Sequence, residues 1–182
     1  LTEIKPSSRQ SPFIRFDQKQ KLHRQALTLR GVSKGYGGVP LFGNFSIQVD
    51  AGERVAIVGP NGAGKTTLVR CIATLLIPDQ GSIAVLGRDA FKDSMYCRQR
   101  IGLLTSGERT LYWKLSARDN LNFFAALYGL GGKERDKRID YLIELLGLKD
   151  VEKERLERYA SGMKQKVSLA RAILHDPDLI LL

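Results

Sequence analysis

A chain of 182 residues is long enough for one domain with a substantial core. Its 43% hydrophobic and 26% charged residues are ordinary for a globular protein; no secretory signal is visible and no apolar run approaches the roughly 20 residues a membrane span needs, so a role at a membrane requires a partner or sequence outside this chain. The net charge of +10 comes from 29 Lys and Arg against 19 Asp and Glu, scattered rather than gathered in one stripe, which favours a solvated basic face over a surface that meets nucleic acid or anionic lipid.

Residues 1–25, with Pro6 and Pro12 and an excess of basic side chains, read as a basic, disordered arm. Ala26–Arg30 alternates with a period of two and predicts a strand, Val32–Gly38 reads as a turn carrying Tyr36, and Phe45–Val49 alternates again. Two strands in such quick succession predict an antiparallel flap beside the main sheet. Asp50–Glu53 then turns the chain into Arg54–Val58, a short β-branched run that reads as a buried strand.

The segment that follows, Gly59-Pro60-Asn61-Gly62-Ala63-Gly64-Lys65-Thr66-Thr67, matches G-x-x-x-x-G-K-[ST], the phosphate-binding P-loop. A triphosphate needs many donors at close range, and glycines let backbone N–H groups crowd inward. Lys65 brings a mobile positive charge to the outer phosphates, and Thr66 offers a hydroxyl to Mg2+, which prefers hard oxygen ligands. The helix predicted from about Lys65 to Leu75 directs its positive end at the same anion. Strand, glycine loop and helix together predict an α/β fold of the P-loop NTPase class, with a nucleoside triphosphate and Mg2+ as ligands.

Beyond the helix, Ile77–Gly81 breaks the chain, and Ser82–Gly87 and Ile101–Leu104 read as strands. From Ser116 the pattern is helical: Leu121, Phe124, Ala125 and Tyr128 mark one apolar face, closed by Gly129, Gly131 and Gly132. Ile139, Leu142, Ile143 and Leu146 mark a second, stopped by Gly147. A third carries Met163, Val167, Ala170 and Leu174 and ends at His175-Asp176-Pro177, after which Asp178–Leu182 opens an apolar strand. Cys71 and Cys97 are too few for a disulfide framework or a zinc site and read as reduced thiols; His23 and His175 read as surface residues rather than ligands.

P-loops serve kinases, GTPases, helicases and transport ATPases alike. The segment Tyr159–Ala172 narrows the choice, because it resembles the signature region of the ATP-binding domain of ABC transporters, L-S-G-G-Q followed by a helix of the form x-Q-[RK]-V-x-x-A-R-A. The helix matches closely. In the loop, Tyr159, Ala160, Ser161, Gly162 and Met163 stand for the family's Leu, Ser, Gly, Gly and Gln. The resemblance covers residues 26–182. It implies that Tyr36 stacks on adenine, that Ser161 and Gly162 meet the terminal phosphate of ATP held on the opposite subunit, and that Ser106 takes the place of the Q-loop glutamine at the metal. The implied organisation is a β flap and P-loop core over 26–105, a Q-loop region and helical subdomain over 106–160, and the signature helix and start of the Walker B strand over 161–182.

The same resemblance implies a homodimer of ATP-binding subunits, permease subunits on a separate chain, and a peripheral position at the cytoplasmic face of the cell membrane. Leu111-Tyr112-Trp113 and the aromatic-rich stretch Phe123–Tyr128 resemble exporters of the ABC-2 type. In the family the apolar run matched by Leu179–Leu182 precedes an Asp that organises Mg2+ and a Glu that acts as catalytic base. The sequence therefore reads as an internal piece of a longer protein, with the C-terminal part of the domain missing, that binds ATP but hydrolyses little. The alternative is a soluble ABC-type ATPase acting on ribosomes or DNA. Such proteins carry tandem cassettes or long coiled-coil insertions, and neither pattern is visible between Lys65 and Ser161.

Overall fold

The computed structural model describes residues 24–104 and 111–182. All but the last two positions of the basic arm, together with His23 and Ser106, lie outside the described residues. The first sheet is antiparallel, with strands in the order β2-β1-β3-β4. Strands β1 (Gln25–Tyr36) and β2 (Val39–Asp50) form a long hairpin, the expected flap. Its turn is Gly37-Gly38, with φ of 58° and 80° at the two positions. Positive φ at both central residues matches the twist of the strands, and glycine adopts it without steric cost.

β1 continues through Val32–Gly35, where the pattern predicts a turn. The register between β1 and β2 shifts at Leu29/Val32, Val32/Lys34 and Lys34/Gly35, and Gly31 has φ 61°. Each irregularity breaks the alternation by which a strand is recognised without ending the ladder. β3 (Gln80–Val85) pairs with the other edge of β1, and β4 (Arg88–Asp89) extends the sheet.

One face of this sheet, with Leu27, Leu29, Val32, Ile83 and Val85, buries Leu68, Cys71 and Ile72 of α1 (Lys65–Ile72) and Cys97 of α2 (Ser94–Arg98). Both thiols are free and buried, and burial pushes each above its ordinary pKa. They serve as packing groups, not nucleophiles.

Arg54–Val58 is not a strand. Its side chains are exposed, Val58 to 90%. A β-branched run makes a buried strand only when neighbours take up its N–H and C=O groups. Among the described strands, β5 (Ile101–Leu103) and β6 (Leu179–Leu181) pair in parallel with each other, and none is in register with 54–58.

The second core is helical. It joins α3 (Ala117–Leu127), α4 (Gly132–Leu145) and α5 (Ser161–Ala172) through Leu121, Ala125, Ile139, Leu142, Ile143, Val167 and Ala170. α3 starts on a serine N-cap: Ser116 Oγ accepts from Asp119 N at 3.0 Å and donates to the Asp119 carboxylate at 2.6 Å. Buried Asn120 donates to Tyr112 O and Ser116 O and accepts from Tyr112 N, fixing the segment that enters the helix. Arg118 ties α3 to Asp140 of α4 at 2.5 Å and to buried Glu152 at 2.7 Å, which holds the guanidinium firmly protonated. α4 ends where Gly147 turns left-handed, at φ 62°, with Leu148 N bonded to Ile143 O. The parallel pair, the antiparallel flap and the helical layer give the mixed α/β architecture that the P-loop predicts.

Candidate nucleotide site

The P-loop is shaped by two left-handed glycines, Gly62 at φ 85° and Gly64 at φ 82°. A Cβ on Gly64 would lie 2.9 Å from Phe42 Cδ1 and 3.0 Å from Leu41 Cγ. Conformation and close approach both demand glycine there. The flap hairpin therefore rests directly on the loop. Ala63 N donates to Pro60 O at 3.3 Å, and Leu68 N to Gly64 O at 2.8 Å opens α1. The N–H groups of Lys65, Thr66 and Thr67 precede that first intrahelical bond. The N-cap makes no side-chain bond and the first turn carries no acidic residue, so nothing on α1 itself neutralises its positive end.

Lys65 Nζ donates to Gly59 O at 2.6 Å and to Pro60 O at 2.7 Å, which holds the ammonium over the loop. Asn61, Ala63 and Thr66 are exposed, and Thr67 is half-buried. Tyr36 closes β1 opposite Val39, a few residues before the Leu41–Phe42 pair that touches Gly64. Its ring is 57% exposed and is not consumed by packing. The structure thus brings Tyr36 and the P-loop onto one hairpin-and-helix unit.

The signature region belongs to the other core. Ala160 caps α5 in an extended conformation, and its carbonyl accepts from Met163 N at 2.9 Å and Lys164 N at 3.1 Å. Ser161 and Gly162 are exposed, with open space around Gly162. Tyr159 differs from its neighbours: it is 4% exposed, and its hydroxyl donates to Val151 O at 2.5 Å. It anchors the loop and does not face a ligand. Met163 packs against the helical core, and Lys164 Nζ lies 4.5 Å from the Trp113 ring centroid. P-loop and signature loop are each built, but in separate hydrophobic clusters.

His175 is not the surface residue expected. Its ring stacks on Tyr128 at 4.1 Å, Nε2 lies 3.2 Å from Ile101 O, and Nδ1 is buried. Burial pushes its pKa below the ordinary imidazole value. Pattern reading also passes over Asp79, whose carboxylate holds Lys34 and Gly35 beside Tyr36. Among the described residues there is no group of three His, Cys, Asp or Glu able to hold a metal. A Mg2+ at Thr66 would draw most of its ligands from phosphate and water, as that ion commonly does.

The family model for "ABC transporter" matches residues 42–182. The chain belongs to the ABC transporter family. It is 47% identical over 136 residues to "ABC transporter ATP-binding protein NatA" of Bacillus subtilis (strain 168), covering 75% of this chain and 55% of that protein. It is 37% identical over 157 residues to "Daunorubicin resistance ATP-binding protein DrrA3" of Streptomyces coeruleorubidus, covering 86% and 49%. Among solved structures, "Structure of ATP binding subunit of ABC transporter" superimposes with a TM-score of 0.76 at 30% identity, covering 85% of this chain and 64% of that one. The chain spans about half the length of the curated relatives it matches.

Proposed function

We propose that this chain is the ATP-binding part of an ABC transporter subunit, and that ATP binds along Gly59–Thr67. The observation that carries the reading is the P-loop geometry: two left-handed glycines, an uncapped helix N-terminus and the Lys65 ammonium converge on one small volume. Backbone N–H groups of Gly62 and of Gly64 to Thr67 hold the phosphates, Lys65 neutralises the outer ones, and Tyr36 stacks on adenine. Thr66 would hold Mg2+, which neutralises charge on the phosphate oxygens. Ser106, outside the described residues, is a second candidate ligand.

The exposed Ser161–Gly162 turn at the start of α5 has the free N–H groups to meet a phosphate on a second subunit, so that a head-to-tail dimer encloses two nucleotides. ATP hydrolysis by the complete protein then reopens the dimer. No helix among the described residues is long and apolar enough to cross a membrane. We assign passage to permease subunits on another chain, as in the exporters that Leu111–Trp113 and Phe123–Tyr128 resemble, with this one peripheral at the cytoplasmic face. The resistance function in the name of the Streptomyces relative supports export as the direction. Replacing Lys65 with Ala in the complete protein should abolish ATP turnover and transport together; undiminished transport rejects the mechanism.

A further inference from the structure

The residues that lead into Tyr36 are also held from outside their own hairpin. Asp79 lies in the turn before β3, and its N–H donates to Ser33 O at 2.9 Å. One carboxylate oxygen accepts from Lys34 Nζ at 2.5 Å, and the other from Gly35 N at 2.8 Å. A single residue thus grips three consecutive positions, Ser33, Lys34 and Gly35, directly before Tyr36. The Asp79 turn cannot slide, because a Cβ on Gly81 would lie 2.5 Å from Arg30 O, so β3 and β1 are in backbone contact there. Gly35 is equally confined, with Val39 O at 2.5 Å from the place of a Cβ. Lys34 Nζ, held by Asp79, stands 5.7 Å from the Tyr36 ring centroid.

An ion pair with an exposed partner stabilises a fold little, and the Asp79 side chain is 49% exposed. Its consequence is local geometry. The Tyr36 ring is too exposed for packing to orient it, and the turn after it is two glycines. Its backbone is paired with Val39 at the end of the hairpin, and the clamp on the residues before it adds a second constraint on its height and tilt from β3. We propose that Asp79 is a positioning residue for the nucleotide base: through Lys34 and Gly35 it holds Tyr36 as a preorganised platform for a purine ring. The inference rests on the reading of Tyr36 as the stacking residue.

The test measures binding of ATP and of tripolyphosphate to the full chain by calorimetry, in the parent, Asp79→Ala, Asp79→Asn, Tyr36→Ala and the double variant. Stacking on an aromatic is worth enough that Tyr36→Ala should weaken ATP by roughly tenfold or more. Asp79→Ala should weaken it by about three- to tenfold through loss of preorganisation. Asp79→Asn, which keeps an acceptor for Gly35 N but releases Lys34, should fall between parent and Asp79→Ala. The double variant should bind ATP no more weakly than Tyr36→Ala, because a positioning residue has nothing to position once the ring is gone. Tripolyphosphate, which has the phosphates without the base, should keep its affinity throughout.

If Asp79→Ala leaves ATP affinity unchanged while Tyr36→Ala weakens it, or if the two losses multiply in the double variant, the positioning role is rejected and the stacking role stands. If Tyr36→Ala itself changes nothing, both fail. A parallel loss of tripolyphosphate in Asp79→Ala would mean that the P-loop has been disturbed, and would also overturn the proposal.

Discussion

Thr74 occupies a position that glycine should hold. It follows α1 with φ 60°, Thr74 N donates to Cys71 O at 3.1 Å, and Leu75 N donates to Arg70 O at 2.9 Å. That pair of bonds is the Schellman motif, whose left-handed residue is usually glycine. A left-handed conformation costs an L-residue about 1–2 kcal/mol, and β-branching makes it less comfortable still. The Thr74 hydroxyl is also buried without a partner, which costs about 1–3 kcal/mol. Against these stand about 0.5–1 kcal/mol for the extra freedom of an unfolded glycine and at most about 0.8 kcal/mol for the methyl group of this half-buried residue. Thr74→Gly should therefore stabilise the fold by about 2 kcal/mol, or raise the melting temperature by roughly 4–8 °C. Thermal and urea unfolding of the full chain measure this directly. Thr74→Ala separates the two causes, since it removes the hydroxyl but keeps the left-handed strain, and should gain less. The reasoning is refuted if Thr74→Gly melts at or below the parent, or if Thr74→Ala gains as much.

Gly64→Ala should unfold more easily by about 1–3 kcal/mol and lose ATP affinity, because its Cβ meets Phe42 and Leu41 in a left-handed backbone; normal binding would show that the flap yields. Tyr159→Phe should cost about 1 kcal/mol in a denaturation midpoint, the value of the hydroxyl bond to Val151 O. His175 carries a pH dependence. Its pKa is lower folded than the ordinary 6.5, chiefly from burial, so below that pH the unfolded chain takes up a proton that the folded one resists. Stability should be full above about pH 6.5 and fall as the pH drops towards the folded value. That part of the slope should vanish in His175→Phe; an identical slope in both would remove His175 as its cause.

The parts legible in the sequence are those whose signal is local. Glycines at fixed offsets from Lys65 announce the P-loop because each one answers a local backbone demand, and the faces of α3, α4 and α5 follow from helical spacing alone. What escaped depends on neighbours distant in sequence. Arg54–Val58 has the composition of a buried strand, but composition cannot supply a partner, and among the described strands it has none. Val32–Gly35 looked like a turn because bulges scramble alternation while the ladder persists. Tyr159 could be aligned with a signature loop, yet alignment orders residues without orienting them, and its ring turns inward. His175 and Asp79 act through contacts with Ile101, Tyr128, Lys34 and Gly35, which only the fold brings within reach.

The central claim is that the loop from Gly59 to Thr67 binds the phosphates of ATP, with Lys65 as the principal charge. Calorimetric titration of the full chain with ATP and Mg2+, beside its Lys65→Ala variant, tests it most directly. A charge-assisted hydrogen bond contributes about 1.5–3 kcal/mol, so the variant should bind roughly 10- to 150-fold more weakly with its melting temperature near that of the parent. Equal affinity in the two proteins, or no binding by the parent, would contradict the account.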